Sequence, residues 1–110
     1  MEFLPNKTRQ AVLEVNLSAV LHNYQYFKSL VKDSTKFVMV IKAFAYGAGI
    51  RNVAKLLENE KVEYLAVACI DEGIELKDAG IEHRIIIFNP ELDGLQKLIE
   101  YGLEPTIYDF

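Results

Sequence analysis

The feature that most constrains this chain is a regular alternation between short apolar runs and longer segments with helical spacing. The apolar runs are Phe37-Val-Met-Val-Ile41, Tyr64-Leu-Ala-Val-Ala68, Arg84-Ile-Ile-Ile-Phe88 and Pro105-Thr-Ile-Tyr108. Each is four or five residues long and rich in β-branched or aromatic side chains, which reads as a buried strand rather than a piece of helix. Their starts lie 27, 20 and 21 residues apart. That spacing accommodates a strand, a helix and two short loops.

The intervening segments carry helical marks. Val20, Tyr24, Phe27 and Val31 fall on one helical face, with Ser18 as the expected N-cap, and Ile50, Val53, Ala54 and Leu57 repeat the pattern. Asp71 is the expected cap of the next helix and Gly80 its stop. Asn89-Pro90 ahead of Leu92, Leu95 and Ile99 predicts a cap followed by proline in the first turn, with Gly102 closing that helix. Ala11-Val-Leu-Glu-Val15 is a further strand candidate, less clearly patterned and assignable to a different sheet.

Strand, helix, strand, helix implies an α/β fold built on a parallel sheet. Two architectures satisfy it: a doubly wound sheet, or part of a (β/α)8 barrel. A whole barrel takes about 250 residues. With 110 residues, the chain supplies three to four βα units, so the barrel reading makes it a partial TIM barrel.

Composition removes several function classes. Hydrophobic residues are 51% and charged residues 25%, a globular balance. Net charge is −4, with no Lys/Arg cluster to suggest a nucleic-acid surface. One cysteine, Cys69, rules out an internal disulfide framework, and it reads as a small core residue. His22 and His83, far from each other and from Cys69, do not suggest a zinc site. No apolar run approaches the roughly 18 residues of a membrane span. Residues 1–10 lack the basic-then-apolar order of a signal peptide and read as a linker or terminal extension, so the expected location is cytoplasmic.

The chemically informative segment is Val38-Met-Val-Ile-Lys-Ala-Phe-Ala-Tyr-Gly-Ala-Gly49. Lys42 follows directly on an apolar run and is therefore expected at the C-terminal end of a buried strand. Active sites of βα sheets lie at that end. A lysine rooted in an apolar wall loses its proton more readily, as imine chemistry requires. Taken alone, a lysine at a strand end is more often a solvated terminator. Gly47 and Gly49 alone are equally unspecific, and their spacing forms neither a dinucleotide fingerprint nor a phosphate-binding P-loop.

The whole segment, however, resembles the cofactor-lysine motif of fold-type III alanine racemases, Lys-Ala-Asn-Ala-Tyr-Gly-His-Gly. Lys42, Ala43, Ala45, Tyr46, Gly47 and Gly49 match, whereas Phe44 replaces Asn and Ala48 replaces His. Leu13-Glu-Val-Asn-Leu17, Ala19, Asn23, Leu65-Ala-Val-Ala68, Asp71-Glu72 and Gly80-Ile81 are similar to flanking parts of the same family. The resemblance covers residues 11–110. The two departures are also similar to a subgroup fused behind the ligase that adds D-alanyl-D-alanine to the muramyl tripeptide.

The resemblance implies an enzyme that uses pyridoxal 5′-phosphate to interconvert L-alanine and D-alanine for peptidoglycan precursor synthesis. Lys42 would form the internal aldimine and act as the base on one face of the substrate. Tyr46 would reach the cofactor phosphate through its hydroxyl. The family's second base is a tyrosine of a later β domain, contributed by the other subunit of a homodimer, and its pyridine-nitrogen arginine also lies later in the chain. The 110-residue piece alone would therefore be inactive. Two other readings stay open at this point: a non-catalytic module that holds pyridoxal phosphate, and a doubly wound interaction domain without cofactor. Asp71 and Glu72 read as helix-start carboxylates rather than an acid/base pair, and Asn89 as a cap.

Overall fold

The computed structural model describes residues 11–109. Residues 1–10, expected to be a linker or extension, lie outside the described residues. The elements in chain order are α1 (Leu17–Ser29), β1 (Val38–Val40), a short turn α2 (Lys42–Tyr46), α3 (Ile50–Asn59), β2 (Tyr64–Val67), α4 (Ile70–Asp78), β3 (Arg84–Ile87), a 3-10 turn (Leu92–Gly94), α5 (Leu95–Glu100) and β4 (Glu104–Pro105). The strands form one sheet of four in the order β1-β2-β3-β4, and every pair is parallel. Each new strand is laid beside the one before it. A doubly wound sheet reverses its order at a switch point, and no reversal occurs here, so the arrangement is that of successive barrel units.

The two faces of the sheet differ. Ile41, Leu65, Val67, Ile85 and Ile87 are buried and join Ile50, Val53, Ala54, Leu57, Leu76, Leu98 and Leu103 from the helical layer in one core. Removing this much apolar surface from water is the main source of stability. Helix α4 sits close on β3 because Gly73 has no side chain: a Cβ there would meet Ile87 Cδ1 at 2.9 Å and Leu103 Cδ1 at 3.0 Å. The opposite face carries Val38, Val40, Tyr64, Ala66, Arg84, Ile86 and Glu104, as the register of the strands requires. Val38 and Val40 remain 46% and 37% exposed there, although both are strand valines. A half-covered apolar face is what one arc of a barrel presents toward its axis.

Several local expectations are corrected. Residues 11–16 form no strand, and Val12, Leu13 and Val15 are exposed; the sheet's ladders join only β1 to β4 with one another. Asn16, not Ser18, caps α1: its Oδ1 accepts from the Ala19 amide at 3.1 Å. On the expected face of α1 only Tyr24 is buried, Phe27 is exposed, and Val31 lies beyond the helix end. Cys69, not Asp71, is the cap residue of α4, half-buried at the helix start rather than inside the core. Asn89-Pro90 does not open α5 directly, because a 3-10 turn intervenes; the Asn89 amide instead donates to the Ala68 carbonyl at 2.9 Å. The fourth strand is displaced to Glu104–Pro105, ending where Pro105 has no amide hydrogen to donate.

The entry to β3 depends on one ionisable group. Glu58 Oε2 accepts from the Glu82 amide at 2.7 Å and the His83 amide at 3.3 Å, and lies 3.4 Å from His83 Nδ1. Burial pushes the Glu58 carboxyl upward, but the two amides and the His83 imidazole outweigh it and hold the group below its ordinary 4.5. A depressed folded-state value means that this stabilisation is fully present above the unfolded value and is lost as pH falls through the folded one. Denaturant titrations should therefore show stability declining as pH drops below about 4.5, with the decline reduced in Glu58→Gln. An identical acid profile in both proteins would contradict this role.

Candidate active site

The site is built at the C-terminal end of β1. The Ile41 amide donates to the Ala66 carbonyl at 2.9 Å, the last rung of the β1–β2 ladder, and Lys42 follows. Continuing the alternation past Val40 places Lys42 on the open face of the sheet. Its side chain is half-buried and makes no hydrogen bond or ion pair among the described residues.

The backbone then does something costly. Ala43, Phe44, Ala45 and Tyr46 all have φ between 52° and 56°, and Gly47 follows at 93°. Four consecutive non-glycine residues are left-handed, so α2 is a left-handed turn. Each such residue costs roughly 1–2 kcal/mol relative to the right-handed form. The turn persists because it is held from several sides. Its Ala45 amide donates to the Ile41 carbonyl at 3.0 Å, the Gly47 amide to Ala43 at 3.3 Å, and the Gly49 amide to Phe44 at 2.8 Å. Ala45 and Ile50 are buried on either side of the glycines. Gly47, at φ 93°, and Gly49, at φ 94°, supply conformations an L side chain rarely adopts, and α3 begins at the next residue. Backbone strain of this kind is characteristic of ligand sites, where the surrounding structure over-determines it.

Lys42 and Tyr46 thus open and close the same strained turn. Tyr46 is 69% exposed, and its hydroxyl has no partner among the described residues. Phe44 is also exposed and lines a shallow cleft of about 210 Å³ with Ala43, Ile50, Glu72 and Glu75. At this left-handed position Phe44 is less tolerated than asparagine would be.

Two arrangements were not foreseen from the sequence. The carboxylate of Glu72 accepts from the Ala68 amide at 3.0 Å and the Cys69 amide at 3.3 Å through Oε1, and from the Ala43 amide at 2.7 Å through Oε2. At the opposite end of the sheet, Arg84 Nη1 donates to the Tyr64 hydroxyl at 2.9 Å, and Nε donates to Glu104 Oε2 at 3.1 Å, with a second, short bond from Nη2 to Oε1. The Glu104 hydrogen bonds and charge raise the Arg84 pKa. These three side chains belong to the first residues of β2, β3 and β4. They tie the strand starts together, far from Lys42. Polar residues opening three successive strands were the available signal. His22 and Asp71 are exposed surface residues, and Asn89 is exposed at the end of β3.

A parallel run of βα units, with a lysine just past its first strand and a glycine-closed strained turn after it, defines the first part of a (β/α)8 barrel. Comparison with known proteins gives the family. Residues 15–110 match the model of the alanine racemase N-terminal domain, and the chain belongs to that family. It is 40% identical over 102 residues to alanine racemase 1 of Caldanaerobacter subterraneus subsp. tengcongensis, covering 92% of this chain and 26% of that protein. It is 40% identical over 103 residues to the alanine racemase of Aquifex pyrophilus, covering 92% of this chain and 30% of that one. Among solved structures, the alanine racemase of Clostridium difficile 630 in complex with cycloserine superposes with a TM-score of 0.83 at 41% identity, over 86% of this chain and 26% of that chain. The chain thus spans between a quarter and a third of the length of these relatives.

Proposed function

We propose that this segment is the lysine-bearing part of a pyridoxal 5′-phosphate-dependent alanine racemase. One observation carries the reading: Lys42 follows just past the first barrel strand and leads directly into four left-handed residues that the rest of the structure must hold in place. The residues present suit such a group. The Lys42 amine has no carboxylate competing for it among the described residues, and nothing would lie within 4 Å of a Cβ at Gly47, so the turn leaves room for a ligand.

Pyridoxal phosphate, when bound, supplies an electron sink that acidifies the hydrogen on the amino acid's α-carbon. Lys42 Nζ would hold the cofactor, and its amine would take the α-proton from one face of alanine or return one to that face. Tyr46 would donate its hydroxyl hydrogen to the cofactor phosphate. A group on the opposite face would complete the inversion, and none among the described residues is proposed for it. The same reading takes the full-length protein as a cytoplasmic homodimer whose D-alanine enters peptidoglycan precursors.

The test is circular dichroism of L-alanine incubated with the full-length chain and pyridoxal phosphate. Loss of the signal as the racemic mixture forms is the expected result, and an unchanged signal from a correctly folded, cofactor-loaded protein would contradict the reading. Tyr46→Phe removes one hydroxyl and keeps the ring. A hydrogen bond to a charged phosphate contributes about 1.5–3 kcal/mol, so cofactor affinity should weaken by roughly tenfold or more. An unchanged cofactor dissociation constant would remove Tyr46 from the phosphate site.

A further inference from the structure

We propose that Glu72 is a positioning residue for Lys42: its carboxylate replaces the backbone rung that would otherwise hold that lysine's segment in the sheet. The proposal rests on the reading of Lys42 as the cofactor-binding lysine.

The register makes the substitution explicit. Val38 pairs with Tyr64 and Val40 with Ala66, so the next pair in the ladder would be Lys42 with Ala68. In a parallel ladder that pair would use two bonds, from the Ala68 amide to the Ile41 carbonyl and from the Ala43 amide to the Ala68 carbonyl. Neither forms. The Ala68 amide donates to Glu72 Oε1 at 3.0 Å, and the Ala43 amide donates to Glu72 Oε2 at 2.7 Å. One carboxylate therefore bridges the ends of both strands at the very pair that contains Lys42.

Two consequences follow from the groups this releases. The Ile41 carbonyl is free to accept from the Ala45 amide at 3.0 Å, which is the first bond of the left-handed turn. The Ala68 carbonyl is free to accept from the Asn89 amide at 2.9 Å, just beyond the last β2–β3 rung, which runs from the Phe88 amide to the Val67 carbonyl at 3.0 Å. Glu72 is the third residue of α4, where a carboxylate also suits the helix start through the Cys69 amide at 3.3 Å. Helix capping explains the bonds from Ala68 and Cys69. It does not explain the bond to Ala43, which is 29 residues away and the shortest of the three. Bonds of an amide to an ionised carboxylate are stronger than neutral ones, so this contact is suited to resisting the strain that follows it. Glutamine has the same shape but only one accepting oxygen. Its amide group would face a backbone donor with another donor.

The experiment uses the full-length chain, pyridoxal phosphate as probe, and Glu72→Gln. Covalent attachment at Lys42 is trapped with borohydride at a series of cofactor concentrations and read by peptide mass spectrometry. Amide hydrogen exchange is followed at Ala43 and, as a remote reference, at Leu98. The expected result is about tenfold weaker attachment at Lys42. Faster exchange should appear at Ala43 with no change at Leu98. Asp71→Asn, which removes the neighbouring first-turn carboxylate that is exposed at the surface, should leave attachment unchanged. Should Glu72→Gln melt before the assay, Glu72→Asp reads the same property, because it keeps the charge at the helix start but is too short to reach Ala43. Equal attachment in wild type and the Glu72 variant overturns the proposal while leaving the Lys42 reading intact. Label on a different lysine in the unsubstituted protein overturns both.

Discussion

Lys42→Ala is expected to abolish covalent cofactor attachment and alanine racemisation together, with little change in thermal stability. The separation of those effects follows from the surroundings of the side chain. Lys42 is half-buried and makes no hydrogen bond or ion pair among the described residues, so its removal leaves no partner orphaned. Substitutions of that kind usually alter stability within about 0.5 kcal/mol. On the proposed reading the chemical loss is severe, because one amine would serve both as attachment point and as proton carrier. Loss of the proton transfer alone would cost typically 10²–10⁴-fold. The measurements are the absorbance of the attached cofactor, racemisation by circular dichroism, and the melting midpoint, all in the full-length chain. Retained racemisation would place the chemistry on another residue.

The second large effect concerns residues 1–110 produced by themselves, which should not racemise alanine at an enzymatic rate even with excess cofactor. Inversion at the α-carbon needs an acid/base group on each face, and among the described residues only Lys42 is proposed for one. The sheet of four strands also leaves Val38 and Val40 substantially exposed on the face that bears Lys42, where no described residue covers them fully. Exposed apolar sheet surface and strand edges recruit other chains, so the isolated piece should self-associate on size-exclusion chromatography. Full turnover from a well-behaved monomer would require a second base within these residues.

The sheet was largely legible in the sequence because burial had already selected its residues. Tyr64–Val67 and Arg84–Ile87 fall within one residue of the apolar runs that announced them, and Ile50, Val53, Ala54 and Leu57 are all buried as their spacing required. The helix starts were less legible. Asn16 and Cys69 displaced Ser18 and Asp71 as cap residues, since the point at which a chain leaves a strand or loop depends on tertiary packing as much as on side-chain preference.

At the site, the position of Lys42 could be read and the shape of its surroundings could not. Ala-Phe-Ala-Tyr has no left-handed preference; only Gly47 and Gly49 hinted at unusual backbone. Part of what holds the turn is contact over distance. Glu72 reaches back 29 residues to Ala43, a bond invisible in the sequence, where Glu72 reads as an ordinary helix-start carboxylate. The Tyr64, Arg84 and Glu104 cluster was hidden for the same reason, because its members meet only once the strand register is known.

The central claim is that Lys42 is the residue that binds pyridoxal phosphate. It is tested most directly by loading the full-length chain with the cofactor, reducing with borohydride, digesting, and locating the phosphopyridoxyl mass by fragmentation. The account predicts a single labelled site at Lys42 and none in Lys42→Ala. Label on any other lysine, with Lys42 unmodified, would contradict it.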